Sequence, residues 1–327
     1  MPGRKDIAVK QSIPKHLRYT FEQFNQEFTT DDVCLDYLAE KRFPGGMAYC
    51  HNCKADRKHH RVSGRTAYAC DRCGNHIYPL AGTILEKTTT SLRTWFYAMY
   101  LMGSTRCGIS AKQIQRETGV TYKTAWRMFK QIRSLLSEPD LQLEGSSVEM
   151  DETYFGGRVR GKGRGPQMEN KTPIVGIAER KGRIVAKTSP GQVNAHNLMG
   201  MVKEHVLPES TIYTDEFAAY NYIPKLKTEE GKPMGYQHRR IHHSAKVYVM
   251  GDVHTNTIEG FWSLIKRGIG GVYHAVSQEY LQSYLDEYAY RYNRRDQGNL
   301  IFRSILDEVS KRAVQKQSDP VISQTEA

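Results

Sequence analysis

Three features are scarce in this sequence of 327 residues, and each scarcity excludes a class of protein. No run of 18 apolar residues is present, so we expect no membrane-spanning helix. Residues 1–15 lack the apolar centre of a secretory signal peptide, which favours a cytoplasmic protein. Only six cysteines occur, and in a reducing compartment we do not expect them to form a disulfide framework.

Acidic residues are also outnumbered. The chain has 35 Asp and Glu against 47 Lys and Arg, a formal net charge of +12. Residues 1–145 hold 22 of the basic and 14 of the acidic residues, a net charge of +8, and the remainder of the chain holds the other +4. An excess of this size favours nucleic acid as a partner over an anionic membrane. Charge alone leaves a merely solvated surface open as the alternative.

The order of predicted elements divides the chain into five segments. Residues 1–28 are polar and predicted to be flexible, residues 29–90 combine a helix with short strands around cysteines, and residues 91–140 are predicted to be helical. Residues 146–317 have an order of strands and helices that predicts an α/β domain with a mixed sheet, and the RNase H-like arrangement is one of those that fit. Residues 318–327 are predicted to be a disordered tail.

Four of the cysteines form two Cys-x-x-Cys pairs, Cys50 with Cys53 and Cys70 with Cys73, separated by sixteen residues. Two such pairs can place four thiolates tetrahedrally around one Zn²⁺ and leave no open coordination position. The spacing therefore predicts a structural zinc ribbon. A free redox pair is the competing interpretation, and the presence of two pairs in a basic segment argues against it.

Residues 110–128 have the layout of a helix-turn-helix, in which two short helices are separated by a turn. Gly119 supplies the turn and Thr121 caps the second helix. Base edges are read by outward side chains near the N-terminus of that helix, which here are Tyr122, Lys123, Thr124 and Arg127. A helical hairpin without a role in DNA binding is the alternative.

Acidic residues occur at two predicted strands and on a later helix. Asp151 lies in a predicted core strand, Asp215 ends another, and Glu259 lies on a helix where it shares a polar face with Asn256 and Lys266. Burying a carboxylate is costly unless it is paired or bound to a metal. Two Mg²⁺ ions about 3.5–4 Å apart, one activating the attacking oxygen and the other stabilising the leaving oxygen, need carboxylates that bridge and flank them. The order of acids therefore suits two-metal phosphoryl transfer.

Taken together, these motifs resemble one protein family. Over roughly residues 20–310, the chain is similar to the zinc-ribbon DDE transposases of bacterial insertion sequences, the group related to the eukaryotic Merlin elements. The resemblance is carried by the four cysteines, MDETYFGG at 150–157, YTD at 213–215, HTNTIEGFWSLIKRG at 254–268, and DEY at 286–288 with RYNRR at 291–295.

The resemblance implies an RNase H-like catalytic domain that cuts the ends of the element and joins the freed 3′-OH to target DNA. Its acidic motif corresponds to Asp151, Asp215 and Glu259, followed seven residues later by Lys266, which we expect to hold a phosphate. The expected cofactors are two Mg²⁺ or Mn²⁺ ions and one structural Zn²⁺. Asn256 is the alternative third ligand, and we favour Glu259 because an anionic ligand binds Mg²⁺ more strongly than an amide.

A basic, glycine-rich loop follows the first predicted strand of this domain. It carries Arg158, Arg160, Lys162 and Arg164, and we expect it to clamp DNA, with a disordered linker as the alternative. The expected partner is double-stranded DNA, both element ends and target, which implies association with the nucleoid. Because two ends must be held at once, we also expect a homodimer or a larger assembly.

Two other functions remain as alternatives. A structure-specific nuclease of the same fold would cut DNA without joining it, but would not need separate modules for recognising element ends. A non-enzymatic regulator would use the zinc ribbon and helix-turn-helix to bind DNA and the α/β half only to assemble subunits. The regulator does not explain acids at two strand ends followed by a helical Glu-Lys pair.

Overall fold

The computed structural model describes residue 14 and residues 17–105, 107–156, 171–189, 191, 193–241 and 254–311. The predicted tail at 318–327 lies outside the described residues. The chain forms two compact units, one comprising residues up to Leu101 together with those from Phe302 onward, and the other comprising Met102–Ile301. Among the described residues, no helix is long and apolar enough to span a bilayer.

The described part of the first unit combines helices with a small antiparallel sheet. Its helices are α1 (Phe21–Glu27), α2 (Asp31–Arg42), most of α3 (Leu92–Ser104) and α9 (Ile301–Lys311). Its strands, which pair in chain order, are β1 (Met47–Cys50), β2 (Ala55–Arg61), β3 (Tyr68–Cys70) and β4 (His76–Ile77). The hydroxyl of Thr30 caps α2 by accepting a hydrogen bond from the backbone N–H of Val33 at 3.3 Å.

The structure differs from the prediction that residues 1–28 are flexible, because the last part of this segment forms α1. Phe24 and Phe28 are fully buried. Both rings contact Phe302, and that of Phe28 also contacts Phe96. Since these partners come from distant parts of the chain, the polar composition of the segment gave no local sign that it would pack.

The second unit contains a five-stranded mixed sheet, which confirms the predicted α/β class with a mixed sheet. Strands β5 (Ser147–Phe155), β6 (Thr172–Glu179) and β7 (Ile184–Thr188) are successively antiparallel. Strand β8 (Thr211–Thr214) is parallel to β5, and β9 (Gln237–Arg240) is parallel to β8. The order across the sheet is β7-β6-β5-β8-β9, so β5 lies at its centre.

Helices pack on both faces of this sheet. On one face, α6 (Ala195–His205) and the 3₁₀ segment 218–225 share a core with Val148 and Met150 of β5. On the other face, α7 (Asn256–Gly268) and α8 (Gln278–Asn293) share a core with residues of β6 and β7. Because side chains alternate along a strand, Glu149 and Asp151 face α7.

The helices α4 (Ala111–Thr118) and α5 (Tyr122–Ser134) belong to the same unit as the sheet. Gly119 ends α4 in the left-handed region at φ 71°, and the hydroxyl of Thr121 caps α5. The structure therefore differs from the predicted boundary between 91–140 and 146–317. The reason is tertiary packing: the buried Arg133 of α5 donates a hydrogen bond of 2.7 Å to Glu287 of α8.

Candidate functional site

The four cysteines of the predicted zinc ribbon meet at one point. Their sulfur atoms all lie within 4.8 Å of one another, with Cys50 Sγ 3.4 Å from Cys73 Sγ and Cys53 Sγ 3.9 Å from Cys70 Sγ. Cys50 ends β1 and Cys70 ends β3, so the hairpin pairing of the small sheet brings the two Cys-x-x-Cys turns together.

The chemistry of this cluster fits Zn²⁺. All six cysteines of the chain are free thiols, and tetrahedral Zn–S bonds of about 2.3 Å place the sulfur atoms roughly 3.8 Å apart. The backbone N–H of Cys53 lowers the pKa of the Cys50 thiol, whereas a side-chain hydrogen bond with Cys73 raises the pKa of the Cys53 thiol. The cluster supports a structural Zn²⁺ held by four ligands. Cys34 and Cys107 take no part in it.

A second group of candidate residues gathers at the central strands of the five-stranded sheet. Asp151 lies in β5, and Asp215 directly follows the parallel neighbour β8. The pairing of the two strands ends with Glu149 aligned with Tyr213, two residues before Asp151 on β5 and two residues before Asp215 in the other segment. Glu259 lies in the first turn of α7, on the face of the sheet towards which Asp151 points.

Asp215 and Glu259 both act electrostatically on Asp151. The pKa of Asp151 is raised to about 6, chiefly by burial; a hydrogen bond from Trp262 opposes the rise, and the negative charges of Asp215 and Glu259 add to it. The Trp262 indole Nε1 donates that bond to Asp151 Oδ2 at 2.9 Å. Nothing in the linear pattern of the sequence shows that the Trp262 ring reaches the strand.

The donor chemistry of this group fits a hard divalent cation. Carboxylate oxygens are the ligands that Mg²⁺ and Mn²⁺ prefer, and a cation would relieve the mutual repulsion that raises the pKa of Asp151. The carboxylate oxygens of Asp151, Asp215 and Glu259 are spread more widely than the sulfur atoms of the four cysteines. In the described part of the chain, the cysteines form the only cluster of at least three such residues whose ligand atoms lie within 4.8 Å of one another.

Glu152 and Tyr220 form a hydrogen-bonded pair on the opposite face of β5. The Tyr220 hydroxyl donates to Glu152 Oε2, and Tyr220 belongs to the 3₁₀ segment 218–225. The pKa of Glu152 is raised to about 7, chiefly by burial; the hydrogen bond from Tyr220 opposes the rise, and the charges of Asp215 and Asp151 add to it. Glu152 thus points away from α7, as strand alternation predicts, while remaining electrostatically linked to the acids.

The polar face predicted for α7 is present. Asn256, Glu259, Ser263 and Lys266 are all exposed, whereas Phe261 and Ile265 are buried against the sheet. The Thr255 hydroxyl donates a hydrogen bond of 2.8 Å to Glu259 Oε1. Asn256 is the first residue of the helix and lies one turn before Glu259.

The outward residues predicted for DNA contact lie at the start of α5. Tyr122, Lys123 and Arg127 are exposed and Thr124 is half-buried, while Ala125 and Met128 are buried. The ammonium group of Lys112 lies 5.6 Å from the centre of the Tyr122 ring, so α4 contributes positive charge beside the start of α5. The four basic loop residues predicted to clamp DNA, Arg158, Arg160, Lys162 and Arg164, lie outside the described residues.

Two family models match the chain. One is described as an ISXO2-like transposase domain and matches residues 142–293, which include the five-stranded sheet, α7 and α8. The other is described as a transposase zinc-ribbon domain and matches residues 29–76, which include the four cysteines.

Two curated proteins also resemble the chain. An uncharacterized protein in transposable element ISH50 of Halobacterium salinarum is 30% identical over 281 residues, which cover 81% of this chain and 91% of that protein. An uncharacterized transposase-like protein of Haemophilus influenzae is 28% identical over 119 residues, which cover 36% of this chain and 87% of that protein. The first similarity extends over most of both chains.

Proposed function

The chain belongs to the zinc-ribbon transposases of insertion sequences, and from this membership we propose that it cuts the ends of its element and joins the freed 3′-OH to target DNA. The proposal is supported by the positions of Asp151 in β5, of Asp215 directly after the parallel neighbour β8, and of Glu259 in the first turn of α7, and by the electrostatic effect of the last two on Asp151. Strand order and direction support the RNase H-like fold for this domain, with three antiparallel strands followed by two parallel ones.

The proposed reaction has two in-line displacements. In the first, water attacks the phosphodiester at the element end and the 3′ oxygen leaves. In the second, that 3′ oxygen attacks a target phosphodiester, and a new P–O bond forms while the target's own 3′ oxygen leaves. Two Mg²⁺ or Mn²⁺ ions bound by the three carboxylates would neutralise phosphate charge and activate the attacking oxygen.

The chain's own groups would orient the carboxylates and the DNA. Trp262 holds Asp151 through its indole N–H, and Thr255 holds Glu259 through its hydroxyl. Lys266 is exposed about two turns beyond Glu259 on α7, and we assign it a phosphate contact. Asn256 is kept as the alternative third ligand.

We assign recognition of element ends to the helix-turn-helix formed by α4 and α5. Its exposed residues at the start of α5 would reach base edges, and the loop that carries Arg158 and Arg164 would contact the backbone. The net charge of +8 on residues 1–145 supports a DNA-binding role for the ribbon and the helix pair together. Since both element ends must be cut, we also propose a homodimer or a larger assembly on DNA.

The test incubates the purified zinc-loaded protein with Mg²⁺, labelled element-end DNA and a target plasmid. The proposal predicts cut ends and joined product, both abolished in Asp151→Asn and Asp215→Asn. Cutting without joining would contradict the proposal and support the nuclease alternative. Specific DNA binding without any metal-dependent cutting would contradict the proposal and support the regulator alternative. Full activity in Glu259→Gln, together with loss in Asn256→Ala, would move the third ligand to Asn256.

A further inference from the structure

Glu149 is a fully buried carboxylate that lies two residues before Asp151 on the same face of β5. A buried carboxylate is unfavourable unless its oxygen atoms accept hydrogen bonds. The groups that donate to Glu149 therefore show what holds this charge inside the protein, and most of them belong to or adjoin α7.

The N-terminus of α7 supplies three of these bonds. The backbone N–H groups of Thr257 and Ile258 donate to Glu149 Oε2 at 2.7 and 3.1 Å, and the Thr257 hydroxyl donates to Oε1 at 3.0 Å. The first N–H groups of a helix have no partner within the helix and carry its positive dipole end, so a carboxylate is well placed there. Glu149 caps α7 from the neighbouring strand.

This arrangement changes the role of the residue that precedes the helix. A threonine at such a position ordinarily accepts a hydrogen bond from the backbone of the first turn. The hydroxyl of Thr255 instead donates to Glu259 Oε1 at 2.8 Å. Because Glu149 already satisfies the helix start, Thr255 is free to orient Glu259.

A third partner extends the network to β8. Arg180 Nε donates to Glu149 Oε1 at 3.1 Å, and Arg180 Nη2 donates to the backbone carbonyl of His254 at 2.8 Å. The guanidinium group also stacks on the ring of Tyr213, 3.9 Å from its centre, two residues before Asp215. The His254 ring nitrogen Nδ1 lies 3.2 Å from Glu149 Oε1. Glu149 is thus linked to all three elements that carry the candidate metal-binding acids.

We propose that Glu149 is a positioning residue, which fixes the start of α7 against β5 so that Glu259 is held facing Asp151 and Asp215. The inference rests on the proposed function, because its consequence is the assembly of a divalent-cation site. Loss of a group that orients a metal ligand typically weakens metal affinity about 10- to 100-fold. We expect Glu149→Gln to have an effect of this size.

The chain offers a matched control in Glu179. This glutamate is also buried in the sheet, and its carboxylate accepts bonds from the backbone N–H groups of Gly145 and Arg183 at 3.0 and 2.8 Å. Both donors are loop residues outside α7. Glu179→Gln therefore removes a comparable buried charge without touching the helix that carries Glu259.

The experiment compares full-length, zinc-loaded wild type, Glu149→Gln and Glu179→Gln in two measurements that need no DNA. Hydrogen exchange reports the amides of Thr257 and Ile258. Binding of Mn²⁺ alone is followed by the electron paramagnetic resonance signal of the free ion, with Asp215→Asn defining the background. We expect faster exchange at both amides and roughly tenfold or weaker Mn²⁺ binding in Glu149→Gln only.

Thr255→Val is a second variant. Valine has nearly the same shape as threonine but lacks the hydroxyl that donates to Glu259. We expect Thr255→Val to weaken Mn²⁺ binding, as Glu149→Gln does. Thr255→Ser keeps the hydroxyl and should restore Mn²⁺ binding. Wild-type Mn²⁺ affinity in Glu149→Gln and Thr255→Val, or equal weakening in Glu179→Gln, would overturn the positioning role. If wild type itself binds no Mn²⁺ above the Asp215→Asn background, the proposed metal centre fails, and the inference fails with it for that separate reason.

Discussion

Arg133 and Glu287 form a buried ion pair between α5 and α8, and breaking it should strongly destabilise the second unit. Arg133 Nε lies 2.7 Å from Glu287 Oε2, and the two side chains are 2% and 0% exposed. The guanidinium group is stacked between two aromatic rings, 3.6 Å from the centre of Phe129 and 3.4 Å from that of Tyr284. Glu287 also accepts a hydrogen bond of 3.1 Å from Arg291.

The expected cost follows from the burial of both groups. Removing one partner of a buried pair typically costs about 3–5 kcal/mol, because an uncompensated charge is left inside the protein. For a domain of 150–250 residues this corresponds to a fall in Tm of roughly 6–20 °C. Replacing both charges by apolar residues of similar volume should cost less, since Arg133 is then not left unpaired and only Arg291, which is 10% exposed, loses its partner.

The assay is thermal and urea unfolding of Glu287→Gln and of the double variant Arg133→Met/Glu287→Met. An exposed pair serves as the control: Lys187 Nζ lies 2.6 Å from Glu204 Oε1, with the side chains 35% and 50% exposed. Glu204→Gln should change stability by less than about 1 kcal/mol. A cost below about 1 kcal/mol for Glu287→Gln, or a double variant as unstable as the single one, would refute the reasoning.

Three further predictions follow from single residues. Cys70→Ser should reduce bound zinc, measured by metal analysis, to well below one ion per chain. Cys107 is exposed and lies outside the cluster, so Cys107→Ser should keep one zinc ion per chain. A full zinc content in Cys70→Ser would contradict the zinc ribbon. Gly176→Val should impair cleavage, because a Cβ at this position would lie 2.6 Å from the indole ring of Trp262, which donates a hydrogen bond to Asp151. Gly260→Ala on α7 is the control, because a Cβ there has no atom within 4 Å. Equal cleavage rates in the two variants would contradict the close packing. Lys123→Ala should weaken binding to element-end DNA more than binding to unrelated DNA, measured by titration with both, because we assign Lys123 to a base edge; an equal loss for both DNAs would exclude that contact.

The secondary structure of the second unit was largely predictable because local signals agree with tertiary packing. The sequence pattern predicts a strand over 146–155 and a helix over 256–267, and these correspond to β5 at Ser147–Phe155 and α7 at Asn256–Gly268. Alternating apolar residues mark the strand, and helical spacing of buried residues marks the helix. The cysteine spacing likewise predicted the four-sulfur cluster, because two short turns suffice to place its ligands.

The contacts that orient the acids were not predictable, since they depend on how closely α7 approaches the sheet. Trp262 reaches Asp151 across Gly176, which pairs with Asp151 in β6 and has no side chain to keep the ring away. The alternation of side chains along β5 does indicate one further residue of the site, Glu149. If Val148 and Met150 face one core, then Glu149 must share the opposite face with Asp151, and a second acid there requires partners of its own.

The central claim is that this chain joins a 3′-OH end to target DNA at the site of Asp151 and Asp215. The most direct measurement supplies labelled, pre-cut element ends that terminate either in 3′-OH or in 3′-H, together with Mg²⁺ and a target plasmid. We expect joined product only from the 3′-OH ends and only with wild-type protein, and none with Asp215→Asn. Joined product from 3′-H ends, or undiminished joining by Asp215→Asn, would contradict the claim.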